Sequence, residues 1–146
     1  MPGYKLAARQ EDHMRTVVEV PKADGKLYIG EGYCTVIAGP CAVESREAYL
    51  EIALTLKNMG VHILRGGAYK PRTSPYSFTG LGQRGLEILA EAREITGLAV
   101  VTEIMDVREL ETIYDTVDIL QVGSRNMQNF SLLEELSKID KPVLLK

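Results

Sequence analysis

The chain has 146 residues, of which 45% are hydrophobic, 25% charged and only 6% aromatic, enough apolar material for one core of ordinary size. Its 17 basic and 20 acidic residues leave a net charge of −3, so no global positive field points to nucleic acid or an anionic membrane. No apolar run approaches the roughly 18 residues of a transmembrane helix, and two cysteines, Cys34 and Cys41, are too few for a disulfide scaffold.

The start, MPGYKLAARQEDHMR, lacks the apolar stretch of a secretory signal, and the chain reads as a cytoplasmic α/β protein. Next, Val17–Val20 and Lys26–Gly30 flank Ala23-Asp24-Gly25, a β-hairpin pattern with glycine at the turn, expected to be an appendage to a parallel sheet. The strands of that sheet are five short β-rich runs at Thr35–Ala38, His62–Leu64, Ala99–Thr102, Ile119–Val122 and Pro142–Leu145. Most are contiguously apolar, as in parallel strands buried on both faces.

Helical segments lie between them. Ser45 caps a helix in which Tyr49, Ile52, Ala53, Leu56 and Met59 recur at helical spacing, and Gly60 stops it. Gln83–Thr96 is a second, with Leu86, Leu89 and Ala90 on one face and Gly97 at its end. Asp106 and Glu109 open a third, with Leu110, Ile113 and Tyr114 on its apolar side. Ser131 and Glu134 form the capping box of a fourth. This alternation predicts parallel strands with right-handed crossovers. Because the chain ends on a strand, either the sheet is open or these are the first strands of something larger.

Parallel α/β folds gather ligands at the carboxyl ends of their strands. Here those exits carry Cys41; then Arg65, Lys70 and Arg72; then Glu103; then Ser124-Arg125-Asn126; then Lys146. From Ile52 to Leu86 there is no Asp or Glu, while Lys57, Arg65, Lys70, Arg72 and Arg84 all fall there. A cationic stretch in a mildly acidic chain suits a small, multiply charged anion such as a phosphate ester. Lys57 and Arg84 sit on helices and read as solvated. The loop from Gly66 to Pro75 adds glycines for close approach, prolines for stiffness, and the hydroxyls of Thr73 and Ser74. Cys41 reads either as a small core thiol or as a thiolate ligand or nucleophile. Cys34 reads as structural. His13 lies in the N-terminal arm and His62 at a strand entry, the wrong end for a ligand.

Taken together, IAGPCAVES (Ile37–Ser45), LRGGAYKPRTSPYSFTGLG (Leu64–Gly82), VVTEIMD (Val100–Asp106), QVGSRNMQNF (Gln121–Phe130) and KPVLLK (Lys141–Lys146) resemble the 3-deoxy-D-arabino-heptulosonate 7-phosphate (DAHP) synthase family, in its compact subgroup without a long N-terminal extension. The resemblance implies a (β/α)₈ TIM barrel, here its first five parallel strands and four helices. Residues 1–32 are then an N-terminal extension with the hairpin, and residues 33–146 the first, incomplete part of the barrel.

It also implies a reaction, the condensation of phosphoenolpyruvate with erythrose 4-phosphate to DAHP and phosphate, the first step of aromatic amino-acid (shikimate) biosynthesis. C3 of phosphoenolpyruvate attacks an aldehyde polarised by a divalent metal of the Mn, Fe, Co or Zn class. Water adds at C2, and phosphate leaves by C–O cleavage.

Carried over residue by residue, Cys41 resembles the family's metal-binding cysteine, with the other ligands expected from later strands. Arg65 and Lys70 match the pair on the phosphoenolpyruvate carboxylate, Lys70 also serving proton transfer. Arg72, Thr73 and Ser74 match the loop that receives the erythrose phosphate. Glu103 matches a carboxylate near the phosphoenolpyruvate site, Ser124 and Arg125 the phosphate clamp, and Lys146 the lysine bridging phosphate and carboxylate. A homo-oligomer is implied as well.

Two alternatives stand beside this reading. One is an enzyme like 3-deoxy-D-manno-octulosonate 8-phosphate synthase, whose loop characteristically reads Lys-Ala-Asn-Arg where this chain has Lys70-Pro71-Arg72-Thr73. The other is a non-catalytic phosphate-binding fragment, since a five-stranded piece is expected to leave two open edges and an uncovered apolar face that associate or aggregate.

Overall fold

A computed structural model describes residues 16–22, 25–74 and 76–146. Strands β1 (Val17–Lys22) and β2 (Gly25–Gly30) pair antiparallel with Val17 opposite Gly30. They form the expected hairpin, although its turn residues Ala23 and Asp24, like His13, lie outside the described residues. Then come β3 (Ile37–Ala38), α1 (Arg46–Asn58), β4 (Ile63–Arg65), α2 (Gln83–Thr96), β5 (Ala99–Glu103), α3 (Leu110–Tyr114), β6 (Ile119–Val122), α4 (Phe130–Leu136) and β7 (Val143–Leu145). Among these residues no helix is long and apolar enough to cross a membrane.

The five later strands are all parallel and lie in chain order, β3-β4-β5-β6-β7. A doubly wound sheet reverses its strand order at a switch point; this one does not. The helices are likewise on one side. Tyr49 and Ala53 of α1, Leu86, Leu89 and Ala92 of α2, Ile113 of α3, and Leu132 and Leu136 of α4 all pack with Leu64, Val100, Leu120 and Val122. Consecutive order with helices on a single face is the winding of a barrel segment.

The opposite face carries Ile63, Ala99, Val101 and Ile119, and these pack with Val20, Leu27 and Ile29 of the hairpin. Val20 is 0% exposed. The hairpin is therefore core rather than appendage, and it covers part of the face expected to lie bare. Val20→Ala is expected to lower stability by about 2 kcal/mol; a urea unfolding midpoint equal to wild type would show that the hairpin does not anchor the fold. Among the described residues β3 and β7 each pair with one strand of this sheet, and Val143 and Leu145 are 40% and 57% exposed.

Helix ends follow the local chemistry with one correction. Ser45 Oγ accepts from the Ala48 N–H, and Gly97 ends α2. Asp106 and Glu109 do form a capping box, opening a 3₁₀ turn at Val107–Glu109 that continues into α3. The fourth helix, however, is capped by Asn129, whose side chain accepts from the Leu132 N–H, and Ser131 lies inside its first turn. On α1, Ile52 and Met59 are exposed, so only Tyr49, Ala53 and half-buried Leu56 of the expected stripe face the core.

Candidate active site

Side chains two apart on a strand share a face. The face that receives the hairpin therefore reads Ile63 then Arg65 on β4, Ala99, Val101 and Glu103 on β5, Ile119 and Gln121 on β6, and Leu144 on β7 with Lys146 just beyond. The lower positions are apolar and the upper ones polar. At the upper end Cys41, Arg65, Lys70, Pro71, Arg72, Glu103, Gln121, Gly123, Ser124, Arg125 and Lys146 line a cleft of about 260 Å³. Eight of the residues expected from strand exits are thus brought together.

Lys70 is set by backbone rather than by its own preferences. Thr102, buried on β5, donates to the Gly66 carbonyl at 2.7 Å and accepts from the Ala68 N–H at 3.4 Å. The Lys70 N–H bonds the Thr79 carbonyl and the Gly82 N–H the Ala68 carbonyl, closing the loop on itself. Tyr49 reaches from α1 and donates its hydroxyl to the Arg65 carbonyl at 3.2 Å; burial pushes that phenol up, so it stays a donor.

Lys70 is only 6% exposed, and its Nζ lies 3.6 Å from Glu103 Oε2. Gln121, also buried, accepts from Arg65 Nε at 3.4 Å and donates to Glu103 Oε2 at 3.5 Å. The strand-exit pattern does not single out Gln121, which sits within a strand; only its two-residue spacing from Ile119 marks it as facing the cleft.

Cys41 is at the rim. A hydrogen bond from Lys70 holds its thiol below the ordinary cysteine range; the charges of Lys70 and Arg65 add to this and burial opposes it. In a Cys34→Ser background, iodoacetamide at pH 7 is expected to label Cys41 at least about threefold faster than when Lys70→Met is added. The pH profile of labelling should shift upward in that variant. Equal rates would separate the lysine from the thiol.

Arg72 is exposed and donates from Nε to the Phe78 carbonyl at 3.1 Å, so it is held by its own loop. Thr73 and Ser74 lie further along that loop and are not among the residues lining the cleft; Ser74 Oγ accepts from the Tyr76 N–H. Arg125 reaches across from the β6 exit to the Pro71 carbonyl at 2.8 Å. Lys57 and Arg84 are exposed on their helices, as expected.

His62 Nδ1 accepts from the Val36 N–H, a strand-entry contact. A larger cleft of about 620 Å³ lies beside the hairpin, away from these exits. Apart from Asp140, its charges are engaged within the fold. Arg93 grips Asp118 with two hydrogen bonds, Lys26 pairs with Glu19, and Lys141 donates to the Tyr114 and Val117 carbonyls.

Among the described residues no three His, Cys, Asp or Glu side chains come together to hold a metal ion. Cys41 is a single donor, and Glu103 is engaged by Lys70 and Gln121. These residues alone do not make a metal shell.

Residues 9–146 match the model of the DAHP synthetase I family. A phospho-2-dehydro-3-deoxyheptonate aldolase of Thermotoga maritima is 51% identical over 143 residues, covering 98% of this chain and 41% of that protein. The crystal structure of a DAHP synthase from Thermotoga maritima superposes with a TM-score of 0.81 at 51% identity, over 90% of this chain and 37% of that one. A 2-dehydro-3-deoxyphosphooctonate aldolase of Syntrophobacter fumaroxidans is 34% identical over 125 residues, 81% of this chain and 43% of that protein. The chain thus spans about two fifths of the length of these relatives. By sequence, strand order and the strand exits that share the cleft, this chain belongs to the DAHP synthetase I family.

Proposed function

We propose that the chain is the first part of an enzyme condensing phosphoenolpyruvate with erythrose 4-phosphate to give DAHP and phosphate. One observation carries the reading: Arg65, Lys70 and Arg72 from the β4 exit, Arg125 from the β6 exit and Lys146 from the β7 exit enter one cleft whose lining side chains include a single carboxylate, Glu103. Two phosphorylated anions held side by side require such a set of fixed cations.

In this reading Arg65 and Lys70 hold the phosphoenolpyruvate carboxylate. Arg125, the Ser124 N–H and Lys146 hold its phosphate, and Glu103 keeps Lys70 oriented. Lys70 Nζ moves a proton near the reacting carbons. C3 attacks the aldehyde carbon, water adds at C2, and the C–O bond to phosphate breaks. Arg72, released from the Phe78 carbonyl, takes the sugar phosphate, with Thr73 and Ser74 supplying hydroxyls. Cys41 is the donor we assign to a divalent cation of the Mn, Fe, Co or Zn class, whose other ligands have to come from outside the described residues.

The octulosonate alternative is less favoured, because the octulosonate aldolase of Syntrophobacter fumaroxidans, 34% identical, is more distant than the 51% identical heptonate aldolase. The family reading implies a homo-oligomer, and we include one in the proposal. Free thiols at Cys34 and Cys41 fit a reducing, cytoplasmic setting.

The test is phosphate release from phosphoenolpyruvate, with erythrose 4-phosphate or arabinose 5-phosphate, with manganese or after chelation. Metal-dependent release with the four-carbon sugar is expected. Release with only the five-carbon sugar would overturn the substrate assignment. Phosphoenolpyruvate binding without release under any condition would instead leave a non-catalytic phosphate-binding half-site, a reading favoured by Cys41 being a single donor among the described residues. Arg125→Ala is expected to weaken phosphoenolpyruvate binding by about tenfold or more; unchanged calorimetric affinity would remove it from the clamp.

A further inference from the structure

We propose that Gln121 is a positioning residue that holds Arg65 and Glu103 apart, so that Arg65 stays available to a ligand carboxylate. The inference rests on the proposed function, in which that carboxylate belongs to phosphoenolpyruvate.

Strand register brings the two charges close. Arg65 lies opposite Val101, and Glu103 is two residues further along the same strand and face. A guanidinium and a carboxylate in diagonal positions on neighbouring strands are within reach of each other, and the planar fork of Arg favours a two-pronged pair with a carboxylate. Such a pair would satisfy both groups and leave neither for a ligand. It is not what the structure contains.

Instead Gln121, opposite Glu103 on the next strand, takes Arg65 Nε on its carbonyl oxygen and gives its amide to Glu103 Oε2. An amide has one end of each kind and carries no charge, so it engages a cation and an anion without neutralising either. Both hydrogen bonds are long, and Gln121 is 3% exposed, so the side chain is confined rather than swinging in solvent.

Gly123 completes the arrangement. A Cβ there would stand 2.1 Å from Glu103 Oε1, so the missing side chain is the room the carboxylate occupies. Gln121 at one oxygen and bare backbone at the other leave Glu103 directed at Lys70. The same β6 face thus sets the anion that orients Lys70 and shields the cation that receives substrate.

The experiment is a cycle of four proteins: wild type, Gln121→Met, Glu103→Gln and the double variant. Each is titrated calorimetrically with phosphoenolpyruvate and with inorganic phosphate. Methionine keeps the side-chain length and removes the amide. In the wild-type background Gln121→Met is expected to weaken phosphoenolpyruvate about tenfold or more, because Arg65 turns onto Glu103. Inorganic phosphate, which has no carboxylate, should change by less than about twofold, its partners Arg125 and Lys146 being untouched. In the Glu103→Gln background, with no charge left to capture Arg65, adding Gln121→Met should change phosphoenolpyruvate affinity by less than about threefold.

This rescue separates positioning from packing, since a core defect would persist in either background. Equal losses in both backgrounds, or no loss in either, would overturn the inference while leaving the cleft as a phosphoenolpyruvate site. Wild type failing to bind phosphoenolpyruvate would overturn the site reading and this inference with it. Should Gln121→Met not fold, Gln121→Glu carries the test: it offers Arg65 a carboxylate directly, so the loss is expected and Glu103→Gln should not relieve it. Unchanged affinity in Gln121→Glu overturns the proposal.

Discussion

Lys70→Met is expected to lower stability by about 3 kcal/mol and to abolish phosphoenolpyruvate binding. Two separate physical effects are involved. Lys70 and Glu103 are 6% and 8% exposed, and their charged atoms lie 3.6 Å apart. Removing the ammonium strands a carboxylate that has little water, which is the costly way to break a buried pair. Removing both charges avoids that cost, so Lys70→Met with Glu103→Gln should regain most of the stability in urea unfolding. Binding should not return, because the cation that meets the ligand is still absent. A double variant as unstable as the single one would mean that Lys70 contributes by packing. A Lys70→Met protein that binds phosphoenolpyruvate with wild-type affinity would place the lysine outside the site.

Gly39→Ala is the second large effect, and here the backbone decides. Gly39 has φ of 143°, and a Cβ on it would stand 2.0 Å from the Arg65 carbonyl oxygen, 2.9 Å from its carbon and 3.0 Å from its nitrogen. These atoms belong to β4, which pairs with β5 on its other side and whose Arg65 carbonyl also receives the Tyr49 hydroxyl. They have nowhere to go. Conformational strain and overpacking together should cost about 3 kcal/mol or more. Gly60→Ala is the control, with positive φ but nothing within 4 Å; it should cost about 1 kcal/mol, the strain alone. Similar urea midpoints for the two variants would show that the close approach of β3 to β4 is not limiting.

The sequence is most readable where one interaction dominates. Contiguous apolar runs place the parallel strands to within a residue or two, and most closely at β5 and β6, which are buried on both faces and have little choice of composition. Strand exits point to the cleft because a charged side chain there has few other reasons to cluster. Local signals mislead where two of them compete. Asn129 and Ser131 are both plausible caps, and Asn129 prevails because its backbone is still non-helical, with ψ of 79°, while Ser131 is already inside the turn. They are silent where the answer is long-range. Nothing in Val17–Lys22 says which surface Val20 will meet, and nothing around Ile52 or Met59 says that α1 leaves them exposed. Gln121 is hidden for a simpler reason: attention to the ends of strands passes over a polar residue within one.

The hairpin-filled floor has an electrical consequence. Val20, Ile63, Ala99, Val101 and Ile119 form a dry layer beneath a ring of Arg65, Lys70, Arg125 and Lys146. Field lines from those charges are poorly screened downward by a low-dielectric base, and are driven out through the mouth. The chain repels small anions weakly as a whole, with its net charge of −3, yet draws them at this one end. Capture of a dianion should therefore be fast in dilute buffer and slow steeply as salt is added, while escape, governed by the contacts themselves, changes little.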